Sequence, residues 1–336
     1  MGPGTVRSSA KMKLAIKLMN DPLHAESVTR TFRGWQRLTA IHQIHPSNAG
    51  EKVNFDWVIT DIHAHVLPGL DDGPGTPKES NELLSQFLES GVQQVFCTSH
   101  YASPHFEVSL DDLARAFDTI ARQGPSQHHS NFASDSAQIV RSNPRAPGVP
   151  SRLTLARGAE VRLSAGVVDP IKTRSVPTLG NTNYVLVEFP GDDIPRPALS
   201  LVHELMVRGY QPIMAHPERN LAVQKRPQWI PELLELGLLL QITASCLLKT
   251  GRDMHRADKL AWSLLENGQC SVVASDAHNV SSRPPNLVAA YEVISDRLGA
   301  YVARQLMDNA NAIWNGAQTQ PVFVEKPRRG LRKLFS

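Results

Sequence analysis

Cysteine is scarce in this chain. Cys97, Cys246 and Cys270 are the only three in 336 residues, and no two of them form a CxxC pair. That excludes a disulfide framework and reads as reduced thiols in a cytosolic protein. Long apolar runs are also missing. No stretch reaches the roughly 18 residues of a membrane-spanning helix. The first 20 residues are basic and hold no acid before Asp21. No clear apolar region or small-residue cleavage site follows them, which argues against a secretory signal, and Met12 or Met19 is an alternative start. Excess charge of one sign is absent too: the net charge of +3 does not mark a nucleic-acid partner. What is present is ordinary globular composition, 41% hydrophobic and 20% charged. The length suits either two domains or one α/β barrel with extensions.

Residues 1–52 carry little pattern beyond a short basic stretch near 10–20 and read as a loosely ordered N-terminal extension. Regular alternation starts near Phe55. The spacing predicts strands at 57–60, 92–98, 153–157, 184–187, 211–215, 238–242 and 271–274, separated by helices. Thr76-Pro-Lys-Glu79 places Thr at the N-cap, Pro at the first helical position and Glu at the third, which is a capping box. Leu83, Leu84, Phe87 and Leu88 follow at helical spacing, and Gly91 ends the helix. Further helices are expected near 109–122, 197–208, 228–236, 255–266, 286–298 and 300–315. Residues 123–151 hold six Ser and four Pro and read as a flexible insertion. Alternating strands and helices imply a parallel sheet. Seven strands within 53–318 point to a distorted barrel, with an open doubly wound sheet as the alternative.

The chemistry is in the positions. His63, His65, His100, Glu160, Glu188, His216, Asp276 and His278 all fall at or just past the C-terminal end of a predicted strand. In a barrel those ends converge on the face where active sites are built. Taken singly, each signal is weak. His63-Ala-His65 puts both side chains on one face of a strand, but it also fits two polar strand-end histidines. A lone glutamate at a strand end is more often an ion-pair partner. Together they are hard to explain by packing, because desolvated like charges are costly. Divalent metals would supply the missing positive charge, and mixed His and carboxylate donors suit Mn, Fe or Zn.

Specific stretches now matter. Asp61-Ile-His-Ala-His65 leads into Leu67-Pro-Gly-Leu-Asp-Asp-Gly73. Thr98-Ser-His100, Gly158-Ala-Glu160, Val187-Glu-Phe-Pro190, Ala215-His-Pro-Glu-Arg219 and Ala274-Ser-Asp-Ala-His-Asn279 follow in order. The set resembles the PHP (polymerase and histidinol phosphatase) superfamily. Within it the set is most similar to the manganese-dependent protein-tyrosine phosphatases of bacterial capsule and exopolysaccharide operons. The resemblance implies a distorted (β/α)7 TIM-like barrel, the PHP fold, with a trinuclear site. His63, His65, Glu160 and Asp276 would hold one ion, and Glu160 would bridge to a second held by Glu188 and His216. Asp72, His100 and His278 would hold the third, leaving Asp71 as a loop-capping carboxylate. It also implies that three divalent ions, Mn above Fe or Zn, acidify a water that attacks phosphorus. Arg219 and Arg283 are the candidate catalytic arginines, because a planar guanidinium suits phosphate oxygens; the alternative for each is a surface arginine.

Rival readings differ in class. Cys246-Leu-Leu-Lys-Thr-Gly-Arg252 has the Cys-x5-Arg spacing of thiol-dependent tyrosine phosphatases, but its loop is poor in glycine. A PHP phosphoesterase acting on histidinol phosphate or another small phosphate monoester would share the ligand set. A catalytically silent regulator binding a phosphotyrosine tail or a kinase would not need to keep it. The implied partner is the phosphotyrosine tail of a membrane-bound bacterial tyrosine kinase. Residues 319–336 read as a basic C-terminal tail, and 326–336 carry five basic and three apolar residues. That composition fits either a solvated tail or a peripheral contact at the inner face of the membrane. Deleting 326–336 should lower membrane co-sedimentation at low salt if the contact exists.

Overall fold

The computed structural model describes residues 58–123, 136–140 and 152–325. The readings made for residues 1–52 and 326–336 lie outside the described residues. Each predicted strand is present, with shifted limits. β1 runs Thr60–Ala64, β2 Gln94–Cys97, β3 His100–Tyr101, β4 Ser136–Val140, β5 Arg152–Arg157 and β6 Glu160–Arg162. β7 runs Tyr184–Glu188, β8 Gln211–Ala215, β9 Leu239–Thr243 and β10 Val272–Ala274. β1 therefore starts where its predicted span ended, and His63 lies inside it.

Two hydrogen-bonded sheets share one circular order. β1, β2 and β5 pair in parallel, and so do β3, β6, β7, β8, β9 and β10. β2 and β3 are one strand path broken at Thr98–Ser99, and β5 and β6 are another broken at Gly158–Ala159. β10 closes back onto β1: Asp276 N donates to His63 O and His65 N to Ala277 O, both at 2.8 Å. Seven strand positions thus form a closed ring. The core agrees with it: Ile62, Phe96, Ala156, Leu186, Ile213 and Ala274 belong to one buried cluster. Residues from six strand paths share this cluster, as the inner face of a closed barrel requires. Ala310 and Ile313 of the last helix join that cluster, and Trp314 packs on Phe96 with ring centroids 4.6 Å apart.

The distortion has a visible cause. Where β5 would meet β7, the antiparallel β4 pairs along β5 from Ser136↔Ala156 to Val140↔Arg152. The chain then breaks at Gly158 and rejoins as β6 beside β7. A Cβ at Gly158 would stand 3.1 Å from Leu179 Cδ2 and 3.2 Å from Thr98 Cγ2, so the two broken paths pass closely there. β4 lies within the segment expected to be a flexible insertion. Its five residues sit among prolines and serines that obscure any period, and the open edge of β5 supplies the pairing.

The helices follow the predicted punctuation. Helix Pro77–Glu89 has the full capping box and buries Leu83, Leu84, Phe87 and Leu88. The others run Leu110–Gln123, Arg196–Val207, Trp229–Glu235, Arg256–Glu266, Leu287–Leu298 and Ala300–Trp314. Short helices at Val168–Thr173 and Leu221–Lys225 were too brief for a periodic signal. The segment expected to start a tail at 319 instead packs on the last helix: Val322 is buried, and Asn309 bonds both N and O of Gln320. Among the described residues no helix is long and apolar enough to cross a membrane.

Candidate metal centre

β1 ends in an Asp-x-His-x-His alternation that brings Asp61, His63 and His65 to the closing seam. All three are fully buried. Asp61 accepts from the N–H groups of His63 and Ser275, locking β1 to the turn after β10. Burial pushes its pKa up to about 6, and the Ser275 and His63 contacts only partly offset this.

The histidine tautomers follow from their partners. His65 Nδ1 lies 2.8 Å from an Asp71 oxygen, which can only accept, so Nδ1 carries the proton. His63 Nδ1 stands 2.9 Å from Gln241 Oε1, and His278 Nδ1 2.9 Å from the Asp276 carbonyl. In each case Nε2 is left as the donor atom. His63 Nε2 and His65 Nε2 then face each other at 3.2 Å. Two lone pairs so placed repel unless positive charge lies between them. Around the same pair, Glu160 Oε2 lies 3.4–3.5 Å away and Asp276 Oδ1 3.4–3.7 Å away.

Glu160 is the hub. Its Oε1 accepts from His216 Nε2 at 2.8 Å, and its Oε2 lies 3.1 Å from His100 Nδ1. That His100 nitrogen has no hydrogen-bond partner of good geometry, although it is buried. Asp72 reaches in from the loop, its Oδ1 3.1 Å from His278 Nε2 and 3.6 Å from His100 Nε2. Four sets of donors have ligand atoms within 4.8 Å of one another: His63/His65/Asp276, His63/Glu160/His216, His65/His100/Glu160 and His65/Asp72/His278. Nitrogen and carboxylate donors converging in this way fit divalent transition metals. Glu188 is the sequence-named ligand that joins none of these sets. Its Oε2 pairs with Arg162 Nη1 at 3.0 Å and lies 4.0 Å from His100 Nδ1.

The field of the site attracts positive charge. Burial would lower both His65 and His216, but Asp71 and Glu160 raise His65 well above the imidazole range, and Glu160 raises His216. Burial would raise Glu160 and Asp276, yet the surrounding imidazoles and, for Asp276, the two arginines hold both well below the carboxylate range. Asp72 sits at about 2, partial burial being outweighed by His278. His100 and His278 are lowered, first by burial, and stay neutral donors. Arginines pair with three of the carboxylates, Arg162 with Glu188, Arg219 with Asp276, and Arg283 with both Asp276 and Asp72.

Arg219 and Arg283 both belong to the centre. Arg219 Nη1 donates to Asp276 Oδ2 at 2.6 Å and Arg283 Nη2 to the same oxygen at 2.7 Å; Arg283 Nη1 also reaches Asp72 Oδ2 at 3.0 Å. Two backbone positions are strained to aim these groups. His216 has φ +33° and Asp276 φ +54°, left-handed values that cost non-glycine residues about 1–3 kcal/mol each.

Several roles escaped the sequence reading. Asp71 does cap the loop, through Gly73 N at 3.0 Å, but it also holds His65 Nδ1 and His100 N. Gly73 is required beside it, since a Cβ there would stand 2.8 Å from His65 O. β9, which offers no candidate ligand, contributes Gln241 behind His63. Arg162 was not singled out, and the parallel register Arg162↔Glu188 is visible only once β6 and β7 are paired.

The model of the family described as capsular polysaccharide synthesis, CpsB/CapC, matches residues 59–131 and 121–315. The chain belongs to the CpsB/CapC family. Its relatives include tyrosine-protein phosphatase YwqE of Bacillus subtilis, 29% identical over 276 residues, 82% of this chain and 98% of that protein. Tyrosine-protein phosphatase CpsB of Streptococcus agalactiae serotype V is 30% identical over 257 residues, 75% and 97% of the two chains. A solved structure, described as YwqE from Bacillus subtilis and CpsB from Streptococcus pneumoniae, unique metal-dependent tyrosine phosphatases, matches with TM-score 0.65 and 28% identity. That match covers 80% of this chain and 98% of the other.

In this CpsB/CapC protein the Cys-x5-Arg stretch is not built for thiol chemistry. Cys246 is buried and Arg252 is exposed. Burial first, then Glu218, pushes the Cys246 thiol far up, and Arg219 opposes this without restoring a thiolate.

Proposed function

We propose that this protein is a metal-dependent phosphotyrosine-protein phosphatase. Its substrate would be the phosphotyrosine tail of a bacterial polysaccharide-export tyrosine kinase, met at the cytoplasmic side of the membrane. The observation that carries the reading is that His63, His65, Glu160 and Asp276 cluster together while Arg219 and Arg283 meet the second oxygen of Asp276. Three divalent ions, manganese before iron or zinc, would be held as the family resemblance implies. His63, His65, Glu160 and Asp276 would serve the first, Glu160, Glu188 and His216 the second, and Asp72, His100 and His278 the third. Glu188 pairs with Arg162 through Oε2, the oxygen that also lies 4.0 Å from His100 Nδ1. Bound there, the cations would supply Lewis acidity that lowers the pKa of water and offsets phosphate charge.

The chain's own groups do the rest. Arg219 and Arg283 stand side by side with their guanidinium nitrogens on Asp276, where they can turn to the equatorial oxygens of a phosphoryl group. Gln241, Asp71 and the Asp276 carbonyl keep His63, His65 and His278 in one tautomer and orientation. A tyrosinate leaving group, with a pKa of about 10, asks little of a general acid.

Replacing His63 or Asp276 with alanine is expected to abolish hydrolysis of p-nitrophenyl phosphate and phosphotyrosine peptides while unfolding stays cooperative. Full activity in both variants would remove the site assignment. Parallel assays with histidinol phosphate separate this substrate from that of other PHP phosphoesterases.

A further inference from the structure

Phe106 is a half-buried aromatic that the core does not use. Its neighbours along the chain, Tyr101, Ala102 and Val108, pack on the apolar core, and Phe106 is not among the residues that do. Its ring lies instead on the imidazole of His100, centroids 5.2 Å apart and planes within 10° of parallel. His100 is itself in the metal centre, 3.1 Å from Glu160 and 3.6 Å from Asp72. The segment that carries Phe106 is held at its base. Ala102 is in the left-handed region at φ +57°, and its carbonyl accepts from Ser164 Oγ at 2.9 Å. A non-glycine residue in that conformation persists only where its surroundings enforce it. The segment thus leaves β3 in a fixed direction and sets an aromatic ring one ring-stack away from the donor cluster.

Resting on the phosphatase reading, we infer that Phe106 is the residue that selects the aryl group of the substrate. A phosphoryl group held by Arg219 and Arg283 carries its ester substituent directly on an oxygen. A phenyl substituent is flat and can pack against Phe106 in offset or edge-to-face contact, whereas the short alkyl chain of phosphoserine offers no ring. The residue acts on binding of the aryl ring and takes no part in proton transfer or in phosphate contact. Aromatic pairs of this kind contribute about threefold to tenfold in affinity beyond their area.

The test compares two inert phosphonates, which removes any difference in leaving group. Manganese-loaded full-length protein is titrated calorimetrically with phenylphosphonate and with ethylphosphonate, and metal content is measured in parallel. Wild type should bind phenylphosphonate more tightly. Phe106→Ala should lose about threefold to tenfold for phenylphosphonate and stay within about twofold for ethylphosphonate, with metal content unchanged. Phe106→Tyr should keep the preference. If Phe106→Ala loses metal, Phe106→Leu fills the space without a ring and carries the same comparison. A phenyl-to-ethyl ratio that survives in the Ala and Leu variants overturns the inference. Wild type that neither binds phenylphosphonate nor hydrolyses phosphotyrosine would defeat the phosphatase reading itself, which is a separate outcome.

Discussion

Replacing Asp71 with asparagine keeps the size of the side chain and removes one acceptor from a fully enclosed position. Asp71 Oδ2 accepts from His65 Nδ1 at 2.8 Å and from His100 N at 2.9 Å, while Oδ1 accepts from Gly73 N at 3.0 Å. Asparagine has a single acceptor oxygen. If that oxygen takes the Oδ2 position, its amide group opposes the Gly73 N–H; if it takes the Oδ1 position, two donors face the amide. At least one buried donor is left unsatisfied, which costs about 1–3 kcal/mol of stability. Metal binding suffers separately, since His65 loses a carboxylate that fixes its tautomer and strengthens Nε2 as a donor. Loss of such a partner typically weakens metal affinity or activity about 10- to 100-fold. The experiment follows both quantities in Asp71→Asn: urea unfolding of the metal-free protein, and manganese affinity by competition with a chelator. A pure loop-capping role predicts the stability loss alone. Manganese affinity equal to wild type would therefore refute the link drawn here between Asp71 and His65.

Two further outcomes are expected. Cys246→Ser should keep phosphatase activity that a chelator then abolishes, since the Cys246 thiol is buried and pushed up; loss of activity with metal still bound would revive thiol chemistry. Arg219→Met and Arg283→Met should each lower kcat/KM by about 100-fold or more, in the range of losing one donor to developing charge. Because both guanidiniums meet one oxygen of Asp276, the double variant should lose less than the product of the two. Strict multiplicativity of the two losses would show that they act independently.

Much of the barrel was legible in the sequence because its signals are local. Thr76-Pro-Lys-Glu79 is a start signal that needs no tertiary partner, and the helix begins there. Limits shift where pairing decides them. β1 lies at 60–64 instead of 57–60 because β2 and β10 fix its extent, and neither is near it in sequence. β4 was invisible for the same reason. A strand held mainly by the edge of β5 needs no alternating pattern strong enough to stand out from Ser136-Ala-Gln-Ile-Val140 alone.

The candidate site divides along the same line. Ligand types are restricted, so His, Asp and Glu at strand ends were noticed as a set, and the structure brings all but Glu188 into shared clusters. The residues that orient them are chemically ordinary. Any acceptor at the right place can hold a histidine Nδ1, and three different kinds do so here: the Asp71 carboxylate, the Gln241 amide and the Asp276 backbone. No residue-type pattern can single out such partners, because what qualifies them is direction and distance. Asp71 and Asp72 make the point most sharply. Adjacent and identical in type, they diverge because Gly73 lets the loop close against His65, burying one carboxylate behind the imidazole and leaving the other half-exposed before His278 and Arg283. A Gly73→Ala chain would spell nearly the same motif, yet its Cβ would need the space that His65 O occupies.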